Sequence, residues 1–78
     1  MKLTRRHTAH IRMDGGAVYV YDVMRDGVVV GTMSVRIDKK VRPWTESTTY
    51  AIGSRTFESL AAFKAAIAAI GNGGHHEE

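Results

Sequence analysis

One segment, Thr56 to Gly71 (TFESLAAFKAAIAAIG), constrains what the rest of this chain can be. Leu60, Phe63, Ile67 and Ile70 recur at three- and four-residue intervals, the spacing of one helix face. Ser59 or Thr56 supplies an N-cap, and Gly71, followed by Asn72, Gly73 and Gly74, supplies a stop. An amphipathic helix with no second helix to pack on needs a sheet, and everything before Thr56 reads as strands.

Taken in order, Ala9, Ile11 and Met13 alternate with Thr8, His10 and Arg12, the period of a half-buried strand. Asp14-Gly15-Gly16 turns the chain. Ala17 to Met24 is apolar on both faces, which suits a central strand. Arg25-Asp26-Gly27 is the next turn, and Val28 to Ile37 the third strand. The stretch from Asp38 to Glu46 holds Pro43 and reads as irregular; Thr48 to Ile52 is a short fourth strand. The resulting expectation is an α+β domain over residues 1–71. Its three- or four-stranded antiparallel meander is covered on one face by the C-terminal helix, and a disordered Gly-rich tail spans 72–78.

Three-residue loops at both turns set a register in which Ile11 faces Tyr19, Tyr21 faces Gly31 and Tyr19 faces Met33. Ala9, Ile11, Met13, Tyr19, Tyr21, Val23, Val29, Met33, Val35 and Ile37 then form the floor under the helix, with Tyr21 over Gly31. A two-residue loop at Gly15-Gly16 would slip the first pair by one and turn His10 and Arg12 inward, at a desolvation cost for the arginine. The opposite face collects Arg6, His10, Arg12, Val18, Val20, Val30 and Arg36. Its valines form an apolar centre and its cations a rim, the anatomy of a protein-binding site.

At 78 residues without cysteine, the chain has room for one small core and no disulfide to restrain its unfolded state, so a partner or a second copy would add stability. The helix side opposite the stripe, Ala61, Ala62, Ala65, Ala68 and Ala69 with Lys64 as its one charge, is smooth enough for such a contact. No apolar stretch follows the basic start MKLTRRHTAH and no run reaches a membrane span, so a cytoplasmic protein without a membrane partner is expected. The net charge of +3 is modest, but Lys39, Lys40 and Arg42 cluster near Trp44. That pairing of cations with an aromatic grips phosphates and stacks on bases, which makes a sequence-tolerant nucleic-acid binder the alternative to a protein-binding module.

Catalysis is not expected. GxSxG, HExxH and GxxxxGK[ST] are all absent, and Ser54 and Ser59 sit where helix caps belong. His7 and His10 point to opposite faces of one regular strand, and His75 and His76 lack a supporting shell, so neither a metal nor another cofactor is expected.

The ending Tyr50, Ile52, Gly53, Phe57, Ser59, Leu60, Phe63, Lys64 and Ile67 leads a short strand through a glycine and an aromatic-x-Ser-Leu opening into one amphipathic helix. In this last third the chain resembles small phage- and prophage-encoded accessory proteins. The resemblance implies a small inhibitor or regulator that acts by binding, and it transfers no functional residue.

Overall fold

A computed structural model describes residues 2–76, with side chains described for residues 2–70. The strands are β1 (Thr4–Met13), β2 (Gly16–Arg25), β3 (Val28–Asp38), β4 (Thr45–Ile52) and β5 (Arg55–Phe57), followed by helix α1 (Leu60–His76). They form one antiparallel sheet in the order β1-β2-β3-β4-β5, with α1 packed on one face. The α+β meander is as expected, but it has five strands where three or four are read from sequence. Thr56 belongs to that extra strand, so the cap is Ser59, whose Oγ accepts from the Ala62 N–H at 3.0 Å. The tail expected to be disordered over 72–78 falls on residues whose side chains, and for 77 and 78 the backbone too, lie outside the described part.

The register differs from expectation at both turns. Met13 pairs with Gly16 and Arg25 with Val28, so the loops are Asp14-Gly15 and Asp26-Gly27, two residues each. Gly15 takes a φ of 77°, and Asp26 and Gly27 take 53° and 79°, the two successive positive values of a tight hairpin turn that Asp-Gly favours. The first change slips β1 by one residue. His10 now faces Tyr19 and Arg12 faces Ala17 on the helix side, while Ala9, Ile11 and Met13 move to the outer face. The second loop shifts β3 by one residue and a bulge at Val30 by one more, so every residue from Gly31 onward keeps its face.

Two bulges absorb the consequences. Beyond Thr8 the pairing of β1 steps by one, and the Thr8 hydroxyl donates to the Val20 carbonyl at 3.1 Å. This step returns Arg6 to the outer face, where it meets Asp22 at 2.8 Å, and lets Leu3 reach the core. In β3 the extra residue is Val30, which packs against the core cluster.

That cluster is small: Val23, Met33, Phe63 and Ile67 are buried, with Tyr21, Val35, Tyr50, Ile52 and Phe57 among the residues around them. Of the expected helix stripe, Phe63 and Ile67 are enclosed, whereas Leu60 and Ile70 overhang at 43% and 54% exposure. Phe63 sits over Gly31, where a Cβ would come within 2.8 Å of its ring. The aromatic covering the strand glycine is therefore this helix residue and not Tyr21; Gly31 pairs with Val23. The helix thus covers the end of the sheet near the β2–β3 turn. The radius of gyration, 14.7 Å, exceeds the roughly 11.5 Å of a compact domain of this length, in keeping with a long sheet covered over part of its length.

Phe63→Ala should cost about 3–5 kcal/mol, comparable to the whole stability of so small a core. Gly31→Ala should cost about 1–3 kcal/mol by pushing the ring off its seat. Denaturant melts of both variants check this; parental stability in Gly31→Ala would mean that the helix is not seated there.

Candidate functional site

The half of the helix-side face that α1 leaves uncovered is built by the parts of β1, β2 and β3 toward the β1–β2 turn and begins at Arg5, which borders α1 beside Leu60, Phe63 and Lys64. Arg5, His7, His10 and Arg12 come from β1, all exposed, and Ala17, Tyr19 and Tyr21 from β2. Val35 and Ile37 lie opposite the tyrosine and alanine positions on β3. Regular alternation would have sent His7 and His10 to opposite faces. The Thr8 bulge brings both to the same one.

The rings on this face form a connected series. His10 stacks on Tyr19 with centroids 4.4 Å apart and planes 17° from parallel. His7 lies 6.4 Å from Tyr19 and 5.4 Å from Tyr21. The Arg5 guanidinium sits 4.9 Å from the centre of the Tyr21 ring. Two shallow grooves meet at Tyr19, one lined by Arg5, Tyr21, Val35, Ile37 and Glu46, the other by His10, Arg12, Ala17 and Lys39.

The loop after β3 extends the series. The Lys39 N–H donates to the Gly15 carbonyl at 2.7 Å, which ties the loop to the first hairpin turn. Asp38 caps the loop by accepting from the Lys40 N–H at 2.9 Å. The Lys39 ammonium then rests 4.9 Å from the Trp44 ring centre, and Trp44 is 58% exposed.

Against the expected sites, the outcome is mixed. Arg6, Val18, Val20 and Arg36 share the outer face, as expected, with Arg6 paired to Asp22. His10 and Arg12 are on the helix side instead, because of the one-residue slip, and Val30 packs into the core, because of its bulge. Of the loop residues, Lys39 and Trp44 come together at the end of the aromatic series. Lys40 lies along Gly15 in a separate groove with Arg36 and Asp38, and Arg42 is exposed in the loop. Arg5, His7, Tyr19 and Tyr21 were not singled out from sequence as binding residues; the Asp14-Gly15 turn was the signal that could have placed His10 and Arg12 beside the tyrosines.

Among the described residues lining the two grooves of the open half, Arg5, Arg12 and Lys39 outnumber one carboxylate, Glu46, which shares the Arg5 groove, so the surface is cationic. Among the described residues no group of three or more His, Asp or Glu side chains is arranged to hold a metal, and no helix is long and apolar enough to cross a membrane. No family model, curated protein or solved structure compared with the chain matches it.

If this half is open surface, replacing its charged members should barely affect folding. His10→Ala with Arg12→Ala is expected to shift stability by no more than about 0.5 kcal/mol each, the range of ordinary surface changes. A thermal melt showing a loss as large as that of Phe63→Ala would mean that these side chains are enclosed.

Proposed function

We propose that the protein is a non-catalytic binder of single-stranded nucleic acid that uses the helix-free half of its sheet. The observation that carries this reading is the run of rings and cations along one uncovered face, from Arg5 on Tyr21, through His7, Tyr19 and His10, to Arg12, Lys39 and Trp44. Single strands are held by the same pairing. Cations neutralise phosphates, while aromatic faces stack on bases without regard to sequence.

The two cation–ring pairs bear on how a strand would enter. Arg5 and Lys39 each rest over an aromatic face in the free protein, so each charge is held beside a surface on which a base can stack. A base arriving at the ring need move the cation only far enough to meet the neighbouring phosphate. A duplex offers no free base faces, and α1 has one lysine along its described length, which makes it a poor groove reader. The chemistry therefore favours a single strand.

The test is a salt titration of binding to a mixed-sequence oligonucleotide, read by quenching of Trp44, the chain's single tryptophan. Three cations predict a log–log slope of about −2, since each neutralised phosphate of a single strand contributes about −0.7. Arg12→Ala should flatten the slope by about 0.7. Trp44→Ala, followed with a labelled strand, should weaken binding by about 1–3 kcal/mol. Absence of binding at low ionic strength overturns the proposal, and equal affinity for duplex removes stacking as its basis.

A further inference from the structure

The outer face of the sheet has the opposite character. The β1 slip sets Ala9 opposite Val20 and Ile11 opposite Val18, with Met13 next in line opposite Gly16. Ile11 is 52% exposed and Met13 41%. Charges on this face and its rim are balanced, with Arg6, Arg36 and Lys40 against Asp14, Asp22 and Asp38, and Arg6 and Asp22 neutralise one another at 2.8 Å. Further across, Ser34, Ser47 and Thr49 are small and uncharged.

We infer that this face pairs with the same face of a second copy, giving a back-to-back homodimer. Charge selects the occupant. A surface meant for a strongly charged partner would carry a net opposite sign, whereas a balanced one can meet its own copy without repulsion. The helix-side face cannot do this, because Arg5, Arg12 and Lys39 would confront themselves. The apolar strip provides the dry centre that such a contact needs, and the Arg6–Asp22 pair and Arg36 its rim.

Area and geometry agree. Four strands about 4.8 Å apart and about 33 Å long present a planar footprint of roughly 630 Å², and side-chain relief brings this near the roughly 800 Å² that one partner contributes to a standard interface. The chain exposes 5756 Å², against about 4,700 Å² for a monomer of its mass, so it carries surplus surface of that order. Face-to-face sheets pack about 10 Å apart. In that arrangement the two cationic faces point away from each other. Edge-to-edge pairing through β1 is disfavoured, because its bulge breaks the ladder and antiparallel self-pairing would bring arginines together.

The experiment is sedimentation of the full chain over a range of concentrations, for the parent, Val20→Asp and the helix-side variant Arg12→Glu. The parent and Arg12→Glu should sediment as dimers and Val20→Asp as a folded monomer, with circular dichroism confirming the fold. A second measurement does not depend on tolerating a buried charge. The chain has no cysteine, so Val18→Cys, Val20→Cys and the helix-side Thr48→Cys can each be treated with a short bis-maleimide. The outer-face variants should give crosslinked dimer and Thr48→Cys none. A parent that stays monomeric at every concentration, a dimer indifferent to Val20→Asp, or crosslinking at Thr48→Cys alone would overturn the inference.

Discussion

The seating of Phe63 over Gly31 decides how the remainder of the molecule is used. A strand residue with a side chain at position 31 would hold the helix off the sheet, since its Cβ would lie 2.8 Å from the ring and 2.6 Å from the Ala51 carbonyl oxygen. The missing side chain lets the fully buried ring reach the sheet, stack on Tyr50 at 5.0 Å and meet Phe57 at a tilt of 57° and 6.1 Å. Ile67, one helical turn on, completes the anchor. Both anchors lie toward the β2–β3 turn and the β4–β5 end, so the helix covers that end, and in the other half of a ten-residue-long sheet His10 and Arg12 stay exposed above half-buried Tyr19 and buried Ala17.

That division explains why an inward-facing arginine is tolerated. Turning Arg12 to the helix side looks costly when the whole face is assumed to be buried, because an unpaired guanidinium taken out of water has no compensation. Beyond the helix Arg12 itself stays exposed over its buried partner Ala17, so its guanidinium keeps its water and there is no such cost. The one-residue slip then gains twice. It places His10 in stacking contact with Tyr19, and it gathers Ala9, Ile11 and Met13 beside Val18 and Val20 on the outer face. One face becomes cationic and aromatic while the other becomes apolar and charge-balanced.

Much of this was legible in the sequence, and the losses have identifiable causes. The presence of the helix, the meander order and the faces of Tyr19 through Val23 and Met33 through Ile37 follow from period and punctuation, whereas the choice of Ser59 over Thr56 as cap needs β5, and α1 runs past the expected stop at Gly71 to His76. Loop length does not follow from period. Asp26-Gly27 carries the signature of a two-residue turn; counting Arg25 into it displaces the pairing by one, and the Val30 bulge displaces it by one more, so the faces from Gly31 onward come out unchanged. At Asp14-Gly15 the same one-residue overcount meets no bulge before Thr8 and reverses the face of β1 from Ala9 to Met13. Bulges were harder to see. The one at Thr8 depends on a hydroxyl reaching the Val20 carbonyl across the ladder, and the one at Val30 on space beside Ile67, both tertiary facts with no period of their own.

The binding account turns on which face of the sheet a single strand touches, and a nuclear magnetic resonance titration with a short oligonucleotide reads that directly. The ring resonances of His10, Tyr19 and Trp44 should shift on addition of the strand, while the methyl groups of Val18 and Val20 on the reverse face stay in place. Shifts confined to the valine methyls, or rings that do not respond at low ionic strength, would contradict it.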